Sequence, residues 1–355
     1  MTAPLKILYA AGLSPNDSSQ FRVWALERLG HHVSTINAYD FQPSNPLLEK
    51  ILFRLQAGPW VARLNREILA RAEREKLDVF WADKLLALRP ETLDKLRAMG
   101  VLTISYMIDN AFGPRKDPGF RLYMQDIRHF DLHVVQRDTN ILDYQRAGAP
   151  DVIKVQTAFE PTVHFPPPAG WSDQQRDRGV SFIGTPYDDR AAFLTRLWCP
   201  NAVPVVISGE RLWEGALEPE ACKHLYRPDH GLYGRDYREA IWRSKINLSF
   251  LTHSNCDEFV HKSFEIAGCE GFLLAERSEG HMARFVEDKE AVFFSDFDEC
   301  LAKIRKYLPD ESARAAIAHA GRERAIRSGY DNDTQVAKII ERLHHISMGR
   351  EAVTK

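Results

Sequence analysis

Residues 256–296 read CDEFVHKSFEIAGCEGFLLAERSEGHMARFVEDKEAVFFSD. Apolar positions between Val260 and Gly268 recur at helical spacing, while GFLLAE (271–276) and AVFFSD (291–296) are short apolar runs of strand length. A helix set between buried strands is the repeating unit of a mostly parallel sheet covered on both faces. The alternation continues outward. Upstream lie the strand-like VSFIG (180–184), VPVVISG (203–209) and KINLSFL (245–251), with helical patterns over Asp189–Trp198 and around Arg235–Arg243. Downstream, Phe297–Leu308 is again helical.

The first half repeats the pattern. LKILYAA (5–11) stops at Gly12 and is followed by a helical stretch from Ser18 to Leu29, for which Asp17 and Gln20 are the expected capping pair. HHVSTINAY (31–39), LDVFWAD (77–83), VLTISYMID (101–109), DLHVVQ (131–136) and DVIKVQ (151–156) are the further strands, with helices over Pro90–Met99 and Asn140–Ala147 between them. Leu47–Lys76 is longer and amphipathic, and predicts two inserted helices. Ala158–Gly179 breaks the rhythm with four prolines and few aliphatic residues, so a linker is expected over 166–178. The expectation is therefore a doubly wound α/β domain over 1–165, a second over 179–333, and a further helical stretch over 334–347. Ligands in such sheets sit beyond the carboxyl ends of the strands, and two facing domains of this kind would hold a substrate in the cleft between them.

Composition fits this picture and removes others. The chain has 355 residues, 44 % of them hydrophobic, and 47 Lys+Arg against 49 Asp+Glu give a net charge of −2. So balanced a charge argues against a protein whose main task is to coat nucleic acid or an anionic bilayer, although a local basic patch is allowed. Five cysteines with no zinc-like spacing read as reduced thiols, and no stretch approaches the roughly 20 apolar residues of a membrane span. With no cleavable apolar segment at the N-terminus, a cytoplasmic location is expected.

Candidate ligand residues follow the strands. No GxGxxG accompanies Gly12, which speaks against a dehydrogenase-type dinucleotide site, yet a glycine at this turn lets a ligand approach the backbone; a plain tight turn is the alternative. Asp257 precedes the helix starting near Val260, and Glu265 lies within it, eight positions on. The helix N-terminus, with roughly half a positive charge, suits a diphosphate, and a carboxylate one to two turns in suits ribose hydroxyls. Asp257 and Glu258 are placed to meet a sugar or to cap the helix, and Lys262 either serves the diphosphate or is a solvated side chain. Asp109 ends a strand and is a candidate base, with a loop cap as the competing reading. His133 reads as a core histidine. Asp229 and His230 lie in a loop ahead of the helix starting near Val260 and either touch a sugar or do nothing. Asp296–Asp298 has the DxD form of metal-dependent transferases, but Asp296 with Glu299 reads better as a capping box, so no metal site is assigned.

The run KSFEIAGCEGFLLAERSEGHMARFVEDKEAVFFSDFDECLAKIRKYL (262–308) resembles the signature region of the CgeB-like (spore maturation protein B-like) glycosyltransferases, a branch of the GT-B superfamily. LGHHV, FIGTPYDDRAAFL and YREAIWRSKINLSFL match in order. The resemblance implies a GT-B fold of two Rossmann-like domains, the first completed by the C-terminal helix, with closure of the domains excluding water. It implies metal-independent glycosyl transfer from a nucleotide-diphosphate sugar, a co-substrate rather than a resident cofactor. Glu265 corresponds to the ribose-binding acid and Asp257 to the acid facing the donor sugar, with Asp where Glu is usual. Gly184 ends the first strand of the donor domain; Thr185 stands where many relatives carry Arg, leaving Arg190 as the nearest cation for the diphosphate. Asp109 as base favours inversion, whereas the Asp257/Glu265 pattern is more usual in retaining relatives. The acceptor stays open among a glycan, a lipid-linked sugar, a protein and a small molecule. A nucleotide-sugar epimerase or hydrolase, a non-catalytic nucleotide-sugar-binding subunit and, less well suited by charge, a DNA-modifying glucosyltransferase are the alternatives.

Overall fold

The alternating apolar runs become strands because side chains on successive residues point to opposite faces, so a run apolar at every position suits a sheet buried on both sides. The computed structural model describes residues 3–14, 17–114, 118–228 and 231–354. They divide into two compact units, Met1–Gln156 with Asn332–Lys355, and Thr157–Asp331.

The first unit is built from β1 (Lys6–Ala11), α1 (Ser18–Arg28), β2 (His32–Asn37), α2 (Pro46–Leu55), α3 (Pro59–Glu75), β3 (Val79–Asp83), α4 (Pro90–Ala98), β4 (Leu102–Tyr106), α5 (Phe120–Asp126), β5 (Leu132–Val135), α6 (Asp138–Arg146) and β6 (Val152–Lys154). Its six strands are all parallel in the order β2-β1-β3-β4-β5-β6, with Ile7 of β1 registered on Val79 of β3. Leu8 and Ala10 of β1 face a core shared with Leu64 and Ile68 of α3 and Leu93 of α4. Ile7, Tyr9 and Ala11 face the opposite core, shared with Val23 and Leu26 of α1.

The second unit comprises β7 (Arg178–Ile183), α7 (Arg190–Trp198), β8 (Val205–Ser208), α8 (Leu212–Ala216), α9 (Pro219–Leu225), β9 (Tyr226–Arg227), α10 (Gly234–Trp242), β10 (Ser244–Ser249), α11 (His261–Gly268), β11 (Leu273–Glu276), α12 (Glu279–Met282), β12 (Val292–Phe294), α13 (Phe297–Tyr307) and α14 (Glu311–Arg327). Its parallel strands run β12-β11-β10-β7-β8-β9, with Val180 of β7 between Ile246 of β10 and Val205 of β8. The last helix, α15 (Asn332–Thr354), belongs to the first unit: Val336, Ile339, Ile340 and Leu343 share the core of α1.

Three local expectations are corrected. Residues 166–178 are not a linker, because they pack within the second unit: Asp173 receives both 2.6 Å hydrogen bonds from Arg314 of α14, and the Trp171 indole donates to the Trp242 carbonyl at 3.1 Å. Asp17 occupies the N-cap of α1, but its side chain makes no capping bond. The C-terminal helix runs from Asn332 to Thr354, longer at both ends than 334–347.

Candidate functional site

The strand order of the second unit reverses at β7. The chain runs outward through β8 and β9, then returns to place β10 on the other side of β7. In doubly wound sheets this is where a crevice opens beyond the carboxyl ends of the two neighbouring strands. Here those ends lead into Gly184–Arg190 and into Phe250–Val260.

Gly184 follows β7 at once. Its N–H donates to the Ser208 carbonyl at 2.9 Å, and its carbonyl accepts from the Trp213 indole at 2.7 Å. A Cβ at this position would lie 2.5 Å from the Lys262 Nζ and 3.1 Å from the Phe182 ring. The missing side chain is thus the space into which the ammonium reaches. Lys262, second residue of α11, donates to the Ile183 carbonyl and sits 4.2 Å from the Phe182 ring centre. Burial, reinforced by the Arg190 charge and opposed by Glu265, pushes its ammonium down to about 7. The N-cap residue of α11, Val260, offers no side-chain acceptor, and the positive end of the helix dipole adds to this cation.

One turn further along α11, Glu265 accepts a 2.7 Å hydrogen bond from the Tyr237 hydroxyl of α10. Burial, then the carboxylate itself, holds Tyr237 well above the usual phenol range, which keeps it a donor. That bond uses Oε2; the other carboxylate oxygen has no partner among the described residues. A fixed carboxylate with one open oxygen is suited to receive a sugar hydroxyl.

Arg190 opens α7 and is only 6 % exposed. Its guanidinium donates to the Thr185 carbonyl at 3.2 Å, to the Leu251 carbonyl at 2.8 Å and to Thr252 Oγ1 at 3.1 Å, joining the segment after β7 to the segment after β10. Its Nε has no hydrogen-bond partner among the described residues. The residue expected as a diphosphate cation is therefore first a tie between the two loops. Asp257 accepts from the Asn255 amide at 2.9 Å, and its own N–H donates to the Thr252 carbonyl at 3.3 Å. Glu258 is fixed through its backbone: its carbonyl accepts from Ser278 Oγ at 2.6 Å, and a Cβ on Gly280 would meet that oxygen at 2.3 Å.

A buried chain holds α11 in place. His281 Nδ1 lies 2.8 Å from the Glu276 carbonyl and so carries the proton, which makes Nε2 the acceptor for Ser263 Oγ at 2.9 Å. Ser263 in turn accepts from Ser249 at 2.9 Å. Burial holds His281 down at about 4, and the neutral ring lets every hydroxyl proton in the chain find an acceptor. Neither this chain nor Tyr237 was anticipated; the partners lie 14 to 28 positions apart, and a serine or tyrosine carries no periodic signal. Beside the site, a cavity of about 360 Å³ opens between α7 and the ends of β10–β12. Arg190 and the α13 cap Asp296 line it, whereas Asp257, Glu258, Lys262 and Glu265 do not.

Gly12, Asp109 and His133 lie in the first unit. Gly12 follows β1, and its carbonyl accepts from Ser19 Oγ at 2.8 Å. Together with Arg22, Tyr39, Phe53, Trp60, Asp83 and Lys84, it lines a cavity of about 380 Å³. Asp109, beyond β4, pairs with Lys84 at 2.7 Å and does not line that cavity. A buried cluster missed by the sequence reading lies beneath it. Arg22 meets Asp83 at 2.6 Å, both at most 3 % exposed, with Tyr9 donating to the same carboxylate and the Tyr106 ring 4.3 Å from the guanidinium. His133 is fully buried among Tyr123, Phe130 and Tyr144, as a core histidine. Asp229 and His230 lie outside the described residues. Asp296 caps α13 by accepting from the Glu299 N–H at 2.9 Å, but the return bond differs from a capping box: Glu299 accepts from Ser295 N–H at 2.7 Å.

Residues 190–341, from α7 into α15, match the family described as glycosyl transferase-like. No curated protein matches the sequence. Among solved structures, sucrose-phosphate synthase from Thermosynechococcus elongatus is 13 % identical, with a TM-score of 0.69 over 97 % of this chain and 100 % of that one. Anabaena HepE in complex with UDP-glucose is 12 % identical, with a TM-score of 0.64 over 95 % and 99 %. The Escherichia coli trehalose-6-phosphate protein bound with UDP-2-fluoro glucose is 14 % identical, with a TM-score of 0.63 over 95 % and 98 %. At such identities the likeness speaks for architecture, and that architecture, two parallel six-stranded sheets each wrapped by helices, is the two-domain α/β fold of GT-B proteins.

Proposed function

We propose that the protein is a glycosyltransferase that moves a hexosyl group from a nucleoside-diphosphate sugar to an acceptor, within the CgeB-like branch of its superfamily. The reading rests on one juxtaposition: an enclosed ammonium, Lys262, in the first turn of α11 beyond β7 and β10, with the half-open carboxylate of Glu265 one turn inward. Glycosyl transfer develops positive charge at the anomeric carbon and negative charge on the departing diphosphate. Lys262 and the α11 dipole stabilise the leaving group, Glu265 receives ribose hydroxyls, and Asp257 faces the donor sugar. Arg190 acts by positioning the two loops. In this reading a helix terminus and a cation carry the diphosphate without a metal ion, and the capping role of Asp296 agrees with that. The first unit takes the acceptor, with Asp109 as its base.

UDP is the first probe, since HepE and the trehalose-6-phosphate protein were each solved with a UDP-containing ligand. At 100 times its dissociation constant a bound nucleotide stabilises the fold by about 2.7 kcal/mol, readily visible as a thermal shift. Glu265→Ala is expected to weaken UDP binding by roughly 10- to 100-fold, the worth of about 1.5–3 kcal/mol of charge-assisted hydrogen bonding, with chelator leaving wild-type binding unchanged. Wild-type affinity in the Ala variant, or no stabilisation by any nucleoside diphosphate, sinks the assignment.

A further inference from the structure

Helix α2 differs from every other long helix of the first unit in what it leaves uncovered. All of its described side chains are exposed, and they include Leu47 (73 %), Leu48 (45 %), Ile51 (53 %), Phe53 (41 %) and Leu55 (51 %). Leu47, Leu48, Ile51 and Leu55 fall at i, i+1, i+4 and i+8, which places them along one stripe of the helix. Scattered apolar side chains on a surface need no explanation, but a continuous stripe on one ten-residue helix does.

Charge identifies the occupant. Lys50 and Arg54 flank the stripe, and Arg63 and Arg66 follow on α3, all exposed; Glu49 is the sole acid within 46–66. None of these four cations makes an ion pair among the described residues. A surface of net +3 on a chain of net −2 is a local feature rather than a reflection of the whole. Two copies meeting through this stripe would set identical cations against one another, since a two-fold contact pairs each patch with itself. An apolar stripe bordered by cations fits the interface of an anionic bilayer, where the aliphatic face enters the headgroup boundary and the cations meet lipid phosphates.

We infer that α2 is an interfacial helix that docks the protein reversibly on an anionic lipid surface. Phe53 also lines the cavity beyond β1 and β3, so docking brings that cavity to the membrane. If the transferase reading above holds, the acceptor is one carried on a lipid.

The test is co-sedimentation of the full chain with phosphatidylcholine vesicles, with and without phosphatidylglycerol, at low and high salt. Binding is expected only with phosphatidylglycerol, and to weaken with salt. Leu47→Glu with Ile51→Glu should lower it by roughly 100-fold, about tenfold for each apolar anchor removed. Lys50→Glu with Arg54→Glu should abolish the preference for anionic lipid. All four positions are exposed, so the variants keep the fold, and UDP binding should be unchanged in each, which separates this inference from the transferase reading. Wild type that ignores phosphatidylglycerol, or variants that sediment as wild type does, overturn it. A concentration-dependent dimer that Ile51→Glu dissociates, with no vesicle binding, overturns it in favour of a second copy.

Discussion

Beyond β1 and β3 of the first unit, a buried arginine meets a buried aspartate at 2.6 Å, with Tyr9 donating to the same carboxylate. Beyond β7 and β10 of the second unit, Lys262 is enclosed near Arg190, and its nearest acid is already engaged by Tyr237. Both places are switch points of parallel sheets, yet one is electrically closed and the other carries unneutralised positive charge. A closed pair has satisfied its own charges and supports the cavity above it. An open cation has a depressed proton affinity that a diphosphate would restore. The comparison teaches that topology marks where a ligand goes, while charge balance at that place decides which ligand it is.

Breaking the closed pair has the largest expected consequence. Arg22→Leu leaves Asp83 buried and unpaired, which costs about 3–5 kcal/mol, or roughly 10 °C in the melting temperature of a unit this size. Calorimetry should record that loss while UDP affinity of the folded protein stays the same. A loss under about 1 kcal/mol would mean that the pair is not closed in the sense used here.

The open site responds to pH instead. Because burial pushes Lys262 down to about 7 and a bound diphosphate favours its charged form, UDP affinity is flat below that value and falls above it, by up to about tenfold per pH unit. Lys262→Met should weaken binding roughly 10- to 100-fold at pH 6 and remove the slope, and titration calorimetry reads both. A Met variant that keeps the slope would assign the proton to another group. The smallest effect is expected at Asp296→Ala, about 1 kcal/mol of stability through the lost α13 cap, with no change in UDP binding.

Much of this was legible in the residues. The strands VSFIG, KINLSFL and GFLLAE are apolar at nearly every position, and a sheet buried on both faces leaves little alternative. Helix α14 escaped because ESARAAIAHAGRERAIR buries mainly small residues, Ala318, Gly321 and Ala325, which give almost no apolar rhythm. Asp257 and Glu265 share one loop and one helix, so their closeness in the fold is legible from their spacing alone. Tyr237 and the Arg22–Asp83 pair are not, since they meet across 28 and 61 positions and only the folded sheet brings them together. A cation after a strand looks the same in sequence whether it faces a ligand or, as Arg190 does, the Thr185 and Leu251 carbonyls.

Helix α15 gives the order of assembly during synthesis. The core that β1 and α1 share with it draws on Ile339 and Leu343, and Arg28 is tied to Asp333 across 305 positions. While a ribosome makes the second unit, the first waits with that face of its sheet only partly covered, by α1 and not yet by α15, for about 175 residues or roughly 10–35 s at 5–20 residues per second. The second unit, continuous in sequence, can be complete before then. The second unit is thus able to finish folding while the first is still short of its last helix.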